Sequence, residues 1–140
     1  MKILLAVDGS DYTKRMLAYL ATHEELLGKA DAFTALTVVP AIPPRALAFV
    51  DPSIVQEYYT SEAEHVLEPV QRYAAQKGWP VTAEHRAGHA GDVIAEVAGS
   101  GRYDLVIMGS HGHSALAGAV LGSVTVRVLA RCKAPLLILH

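Results

Sequence analysis

The chain has 140 residues, 51% of them apolar, with 12 Lys and Arg against 14 Asp and Glu for a formal charge of −2, and a single cysteine. This length and apolar content suit one domain, 1–140, with a full hydrophobic core, and the interspersed charges argue against nucleic acid as a partner and against direct insertion into a membrane. Cys132, standing alone, excludes an intrachain disulfide and a CxxC metal or redox pair, and reads as a small buried hydrophobe.

The apolar run 3–7 predicts a first strand, and Asp8 interrupts it too soon for a signal peptide or a membrane span, so a cytoplasmic protein is expected. A helix follows, opening at Ser10 or Asp11, setting Met16, Leu17, Leu20 and Leu27 near one face and ending at Gly28. Residues 33–39 form a second continuous apolar run, as expected of a strand buried on both faces. The long connection 40–51 mixes Pro40, Pro43 and Pro44 with Leu47, Phe49 and Val50, which reads as an ordered flap or contact surface. Asp51-Pro52 starts a second helix over 52–76, and Pro69 is expected to kink it or split it in two. The more polar 81–86 suits a less covered strand. A third helix over 92–98 turns Val93, Ile94 and Val97 inward and stops at Gly99. A strand over 105–108, a helix opening at Ser123 and a strand over 136–139 complete the chain. This alternation predicts an α/β, doubly wound, mainly parallel sheet with about four helices on right-handed crossovers.

In such a sheet ligands bind beyond the carboxyl ends of the strands, where strand order reverses. Asp8-Gly9-Ser10, Val38-Val39-Pro40 and the glycine run from Gly109 all follow strands, and they converge if the first and fourth strands are neighbours. That run, Gly109-Ser110-His111-Gly112 and then, across nine residues, Gly122-Ser123, lies between a strand and a helix, where phosphate-binding loops are built. Gly109 and Gly112 lack a Cβ, so backbone amides can approach phosphate oxygens. Gly122-Ser123 presents the free N–H groups and the dipole of a helix start. Asp8 suits ribose hydroxyls or a divalent cation bridging phosphates, and Val38 and Met108 suit the faces of an adenine ring. The same residues also admit plain structural roles: glycines for a tight turn, Ser123 as a helix cap, Asp8 as cap of the first helix.

The run lacks the Gly-Lys-Ser/Thr of a P-loop and is not the compact GxGxxG of dinucleotide enzymes. His111 and His113, with His89, are weaker candidates for a metal site or a general base, and read as solvent-facing loop residues with His111 in reach of phosphate. Arg127 and Arg131 share a helix face and read as surface or interface charges rather than a phosphate clamp. No serine stands in a G-x-S-x-G elbow and no nucleophile has a visible partner, so no catalytic residue is assigned.

Ala6-Val7-Asp8-Gly9-Ser10 near the start, and Met108-Gly109-Ser110-His111-Gly112 to Gly122-Ser123-Val124-Thr125 near the end, resemble the universal stress protein family over essentially the whole chain. The glycine run matches that family's G-x2-G-x9-G-(S/T) motif, and 124–129 with 134–137 are similar to its C-terminal signature. The resemblance implies the ATP-binding branch and a Rossmann-like sheet of strand order 3-2-1-4-5. It implies a nucleotide site of Ala6, Asp8, Val38, Met108, Gly109, Gly112, Gly122, Ser123, Val124 and Thr125, with Mg2+ or Mn2+ bridging the phosphates and Asp8 as the candidate protein ligand. It also implies a homodimer paired through the edge strand 135–140, which agrees with the need of an apolar edge for a partner or cover. Two departures stand out: 114–121 contain no Lys or Arg, which weakens the hold on outer phosphates, and 88–91 lack the proline common before the third helix. The function implied is an ATP-binding stress-response sensor or regulator, with slow or no hydrolysis and an unidentified regulatory partner. Two other readings stay open: a nucleotide-independent interaction module using the edge strand and the 40–51 flap, and a slow ATP hydrolase using a metal at Asp8. A bulky residue at Gly122 is expected to block phosphate without unfolding the chain.

Overall fold

The computed structural model describes residues 1–26, 28, 32–114 and 116–140. Five strands, β1 (Lys2–Ala6), β2 (Ala32–Val39), β3 (Val81–Ala87), β4 (Leu105–Gly109) and β5 (Leu136–Leu139), form one sheet in the order β3-β2-β1-β4-β5, parallel at every pairing. The chain winds outward from β1 to β3, then crosses to β4 and β5, so strand order reverses between β1 and β4. Helices α1 (Asp11–Thr22), α3 (Pro52–Lys77), α4 (Ala90–Ser100) and α5 (Ser123–Arg131) make the crossovers. The short α2 (Pro44–Leu47) forms inside the 40–51 connection, where Pro44 sits in the first turn with its φ already set and no amide to leave unpaired.

Alternate side chains of β1 enter opposite cores. Ile3, Leu5 and Val7 pack with Met16, Leu17 and Leu20 of α1 and with Ala63, Leu67 and Val70 of α3. Leu4 packs with Leu36, Val106 and Met108, with Ile94, Val97 and Ala98 of α4, and with Val128 of α5. Burial on both faces is why these strands read as unbroken apolar runs. Each such side chain contributes roughly 1.5–3 kcal/mol by leaving water.

The structure differs from expectation at four points: α1, α3, α4 and Cys132. Helix α1 stops at Thr22 rather than Gly28, because the Thr22 hydroxyl and the His23 Nδ1 both donate to the Tyr19 carbonyl at 2.9 Å and satisfy the helix end. A 3-10 turn over Glu24–Leu26 follows, and Leu27 lies outside the described residues. Helix α3 runs unbroken through Pro69. The carbonyl that loses its donor belongs to His65, and both residues are exposed, so water can serve it. Helix α4 begins at Ala90 and passes Gly99, ending where a Cβ on Gly101 would meet Tyr103 Cε2 at 2.5 Å. Cys132 is half-buried, not buried, and follows the last turn of α5 with its thiol toward the Ala134 carbonyl.

Candidate functional site

Beyond the carboxyl ends of β1, β2 and β4 lies a cavity of about 370 Å3, within the usual size of a small-molecule site. Every residue of the expected nucleotide set lines it: Ala6 at the end of β1 and Asp8 just beyond, Val38 from β2, Met108 and Gly109 at the end of β4 and Gly112 just beyond, and Gly122 to Thr125 at the start of α5. The reversal between β1 and β4 is what opens this crevice, since the chain leaves those two ends in opposite directions.

The spacing of the glycine motif follows from how its loop closes. The Gly122 amide donates to the Ser110 carbonyl at 2.7 Å, and the Thr125 hydroxyl donates toward the carbonyls of Gly109 and Ser110 at 3.0 and 3.1 Å. The start of α5 is thereby pinned to the end of β4. None of Gly109, Gly112 and Gly122 has a positive φ, so close approach, not left-handed backbone, is what requires glycine here. A Cβ on Gly109 would meet Tyr12 Cβ at 2.8 Å, and one on Gly122 would meet the His111 Cα at 3.1 Å and the Ser110 carbonyl oxygen at 3.3 Å. Those Gly122 neighbours are backbone. A bulky residue there would therefore push the loop itself apart, which corrects the expectation that such a change spares folding.

The loop leaves donors facing the cavity. Among the described residues no backbone carbonyl accepts from the amides of Ser123, Val124 or Thr125, and no side chain caps α5. These are the free N–H groups of a helix start, where the macrodipole places about half a positive charge. Ser123 is exposed at this end, whereas the Thr125 hydroxyl is buried and spent on the loop, so Thr125 lines the site as a brace.

Asp8 is oriented by its own neighbours. Its Oδ1 accepts from the Ser10 amide at 2.9 Å and from the Thr13 hydroxyl at 3.0 Å, while the Thr13 oxygen accepts from the amides of Asp8 and Gly9 at 3.1 and 3.2 Å. Oδ2 lies toward Gly112, 2.5 Å from where a Cβ would stand, and makes no hydrogen bond among the described residues. One carboxylate oxygen is thus fixed and the other presented. The expected capping role of Ser10 is not realised: its buried Oγ has no hydrogen-bond partner among the described residues. Asp8 also has its carbonyl held by His113 Nε2 at 2.7 Å.

The histidines have structural duties. His111 Nε2 donates to the Ala119 carbonyl at 2.8 Å, which leaves Nδ1 to accept from the Ser110 hydroxyl at 2.9 Å. With both nitrogens engaged, His111 braces the loop. Among the described residues no three His, Cys, Asp or Glu side chains gather as a metal site. Asp8 Oδ2 could supply one oxygen ligand to a cation whose other ligands came from elsewhere. Arg127 forks onto Asp92 of α4 at 2.7 and 3.1 Å, and Arg131 joins it at 3.1 Å, which holds the Asp92 carboxyl below its ordinary range through the Arg127 hydrogen bond. Both arginines are tied to α4, as surface charges.

A model of the universal stress protein family matches residues 1–140. The chain belongs to the universal stress protein family. It is 32% identical over 136 residues to a universal stress protein of Synechocystis sp., covering 97% of this chain and 41% of that protein, so it spans less than half that relative's length. It is 26% identical over 138 residues to universal stress protein MJ0531 of Methanocaldococcus jannaschii, covering 98% of this chain and 80% of that one. Among solved structures it is similar to MJ0577 of the same organism, with TM-score 0.80, 26% identity, and 99% and 94% of the two chains covered. A universal stress protein in complex with cAMP superposes with TM-score 0.72 at 22% identity, over 100% and 97% of the chains. An Arabidopsis thaliana family member with AMP bound gives 0.68 at 16%, over 99% and 91%. At those identities the last two likenesses are of fold.

Sequence reasoning overlooked part of this universal stress protein's cavity: Thr13 of α1, Thr37 of β2, Glu62 and Val66 of α3, and Ala90 and Ile94 of α4. Thr13 alone carried a readable signal, a hydroxyl five residues after Asp8 in the first turn of a helix. The others reach the site only through tertiary packing.

Proposed function

We propose that this protein binds an adenine nucleotide in the cleft between β1 and β4 and acts as a homodimeric, cytoplasmic stress-response regulator. The observation that carries the reading is the convergence on one cavity of free α5 amides, the Gly112 turn, a presented Asp8 oxygen and the apolar Val38 and Met108. In this reading the base lies against Val38 and Met108, Asp8 meets the ribose, and Gly109, Gly112 and residues 122–125 surround the phosphates. ATP enters as its Mg2+ or Mn2+ complex, the cation held by phosphate oxygens and Asp8 Oδ2. The AMP and cAMP complexes of proteins with this fold lend support, as does the family's shared motif.

Holding is favoured over turnover. Hydrolysis needs a base to activate water; of the two imidazoles that line the cavity, His111 has both nitrogens committed within the loop and His113 has Nε2 on the Asp8 carbonyl. Dimer formation through β5 rests on its place at the sheet edge, where one row of backbone groups has no neighbouring strand and Leu136 to Leu139 are only half-buried. Calorimetric titration of the purified protein with ATP and Mg2+ tests binding, and sedimentation tests the dimer. Saturable heat that disappears on swamping with unlabelled AMP is expected; no heat at millimolar nucleotide would remove the proposal.

A further inference from the structure

The charge of the cavity wall carries a consequence for which nucleotide it prefers. Among the described residues lining it there is no lysine or arginine, and its two carboxylates are Asp8 and Glu62. The stretch 114–121 contributes no cation either. Arg127 and Arg131, on the helix whose start faces the cavity, are bound to Asp92. His111 is committed at both nitrogens and His113 at Nε2. What remains to attract anions is a helix start worth about half a charge, a few neutral amides and the second ring nitrogen of His113. Asp8 and Glu62 both line this one cavity, so the negative charge of a ligand held in it is repelled by both.

We infer that this site selects its ligand by phosphate charge, favouring a nucleoside monophosphate over a free triphosphate, and that Glu62 is the residue setting that preference. The inference rests on the nucleotide reading given above. A monophosphate brings about two negative charges at neutral pH. A free triphosphate brings roughly two more, each meeting Glu62 and Asp8 across the cavity with no wall cation to offset it. Asp8 has a second role at the ribose. Glu62 is exposed on α3 and makes no hydrogen bond or ion pair among the described residues, so its effect on binding is through its charge. Mg2+ lowers the charge of the triphosphate to about that of the monophosphate and removes the penalty.

The test is a set of titrations of the full chain and of Glu62→Gln with adenosine, AMP and ATP, in EDTA and again in excess Mg2+, at low ionic strength. In EDTA the wild type is expected to bind AMP about tenfold more tightly than ATP, and Glu62→Gln to narrow that ratio about threefold while changing adenosine by less than twofold. Mg2+ should narrow the wild-type ratio in the same direction. Metal-free ATP binding as tightly as AMP, or a ratio unmoved by Glu62→Gln, would overturn the inference while leaving the nucleotide site intact. Absence of binding by adenosine and both nucleotides would instead remove the nucleotide reading, and this inference with it.

Discussion

Replacing Gly112 by alanine places a methyl carbon 2.5 Å from Asp8 Oδ2, closer than the two atoms can sit. The backbone tolerates the change, since Gly112 has no positive φ. The carboxylate must therefore rotate away, and it can do so only by loosening the bonds from the Ser10 amide and the Thr13 hydroxyl to Oδ1. Each hydrogen bond to a charged acceptor contributes about 1.5–3 kcal/mol when well shielded. Asp8 is only half-buried, so water recovers much of this and a total loss of about 1–2 kcal/mol is expected. In an Asp8→Ala background the obstruction is gone, and the same Gly112→Ala change should cost less than about 0.5 kcal/mol, a coupling near 1 kcal/mol. Urea unfolding of the wild type, both single variants and the double variant at pH 7 measures it. Equal costs in the two backgrounds would show that Gly112 serves the loop and not the carboxylate, and the account of how Asp8 is presented would fail.

Thr13→Val keeps shape but removes the acceptor for the Asp8 and Gly9 amides, and a loss of about 2 kcal/mol is expected from the denaturation midpoint; a loss below 0.5 kcal/mol would contradict the role given to that hydroxyl. Gly91→Ala sets a Cβ 2.7 Å from Arg127 Cβ and forces α4 from α5, at about 1–3 kcal/mol by thermal unfolding, and an unchanged midpoint would argue against that contact. Asp92 is held below its ordinary range chiefly by the Arg127 hydrogen bond, so its contribution is present above the unfolded aspartate value near 3.9 and is lost as pH falls through the lower folded value. Asp92→Asn should thus be less stable than wild type at pH 7 and converge with it at the acid end, whereas a constant gap across pH 2–7 would refute the ion pair as its cause.

The strands were legible because burial on both faces leaves nothing but apolar side chains in 3–7 and 105–108, and helix starts because Asp51 does accept from the Ser53 amide, at 2.8 Å, as a cap should. The glycine motif pointed to this cavity, yet for an incomplete reason: room for phosphate to approach the backbone was expected, and the structure adds Tyr12, Asp8 and the His111 backbone pressed against the three missing Cβ positions. Helix ends made by side chains, such as Thr22 and His23 on Tyr19, carry no pattern distinct from a continuing helix. Glu62 was illegible for a related reason. It is one of several acids on α3, beside Glu57, Glu64 and Glu68, and only packing of that helix against β2 and β3 decides which of them meets the cavity.

A crystal structure of the protein supplied with ATP and Mg2+ tests the central claim most directly. The expected density places phosphate oxygens on the amides at the start of α5 and beside Gly112, with the base between Val38 and Met108. An empty cleft at saturating nucleotide, or nucleotide bound elsewhere on the surface, would contradict the site assigned to this chain.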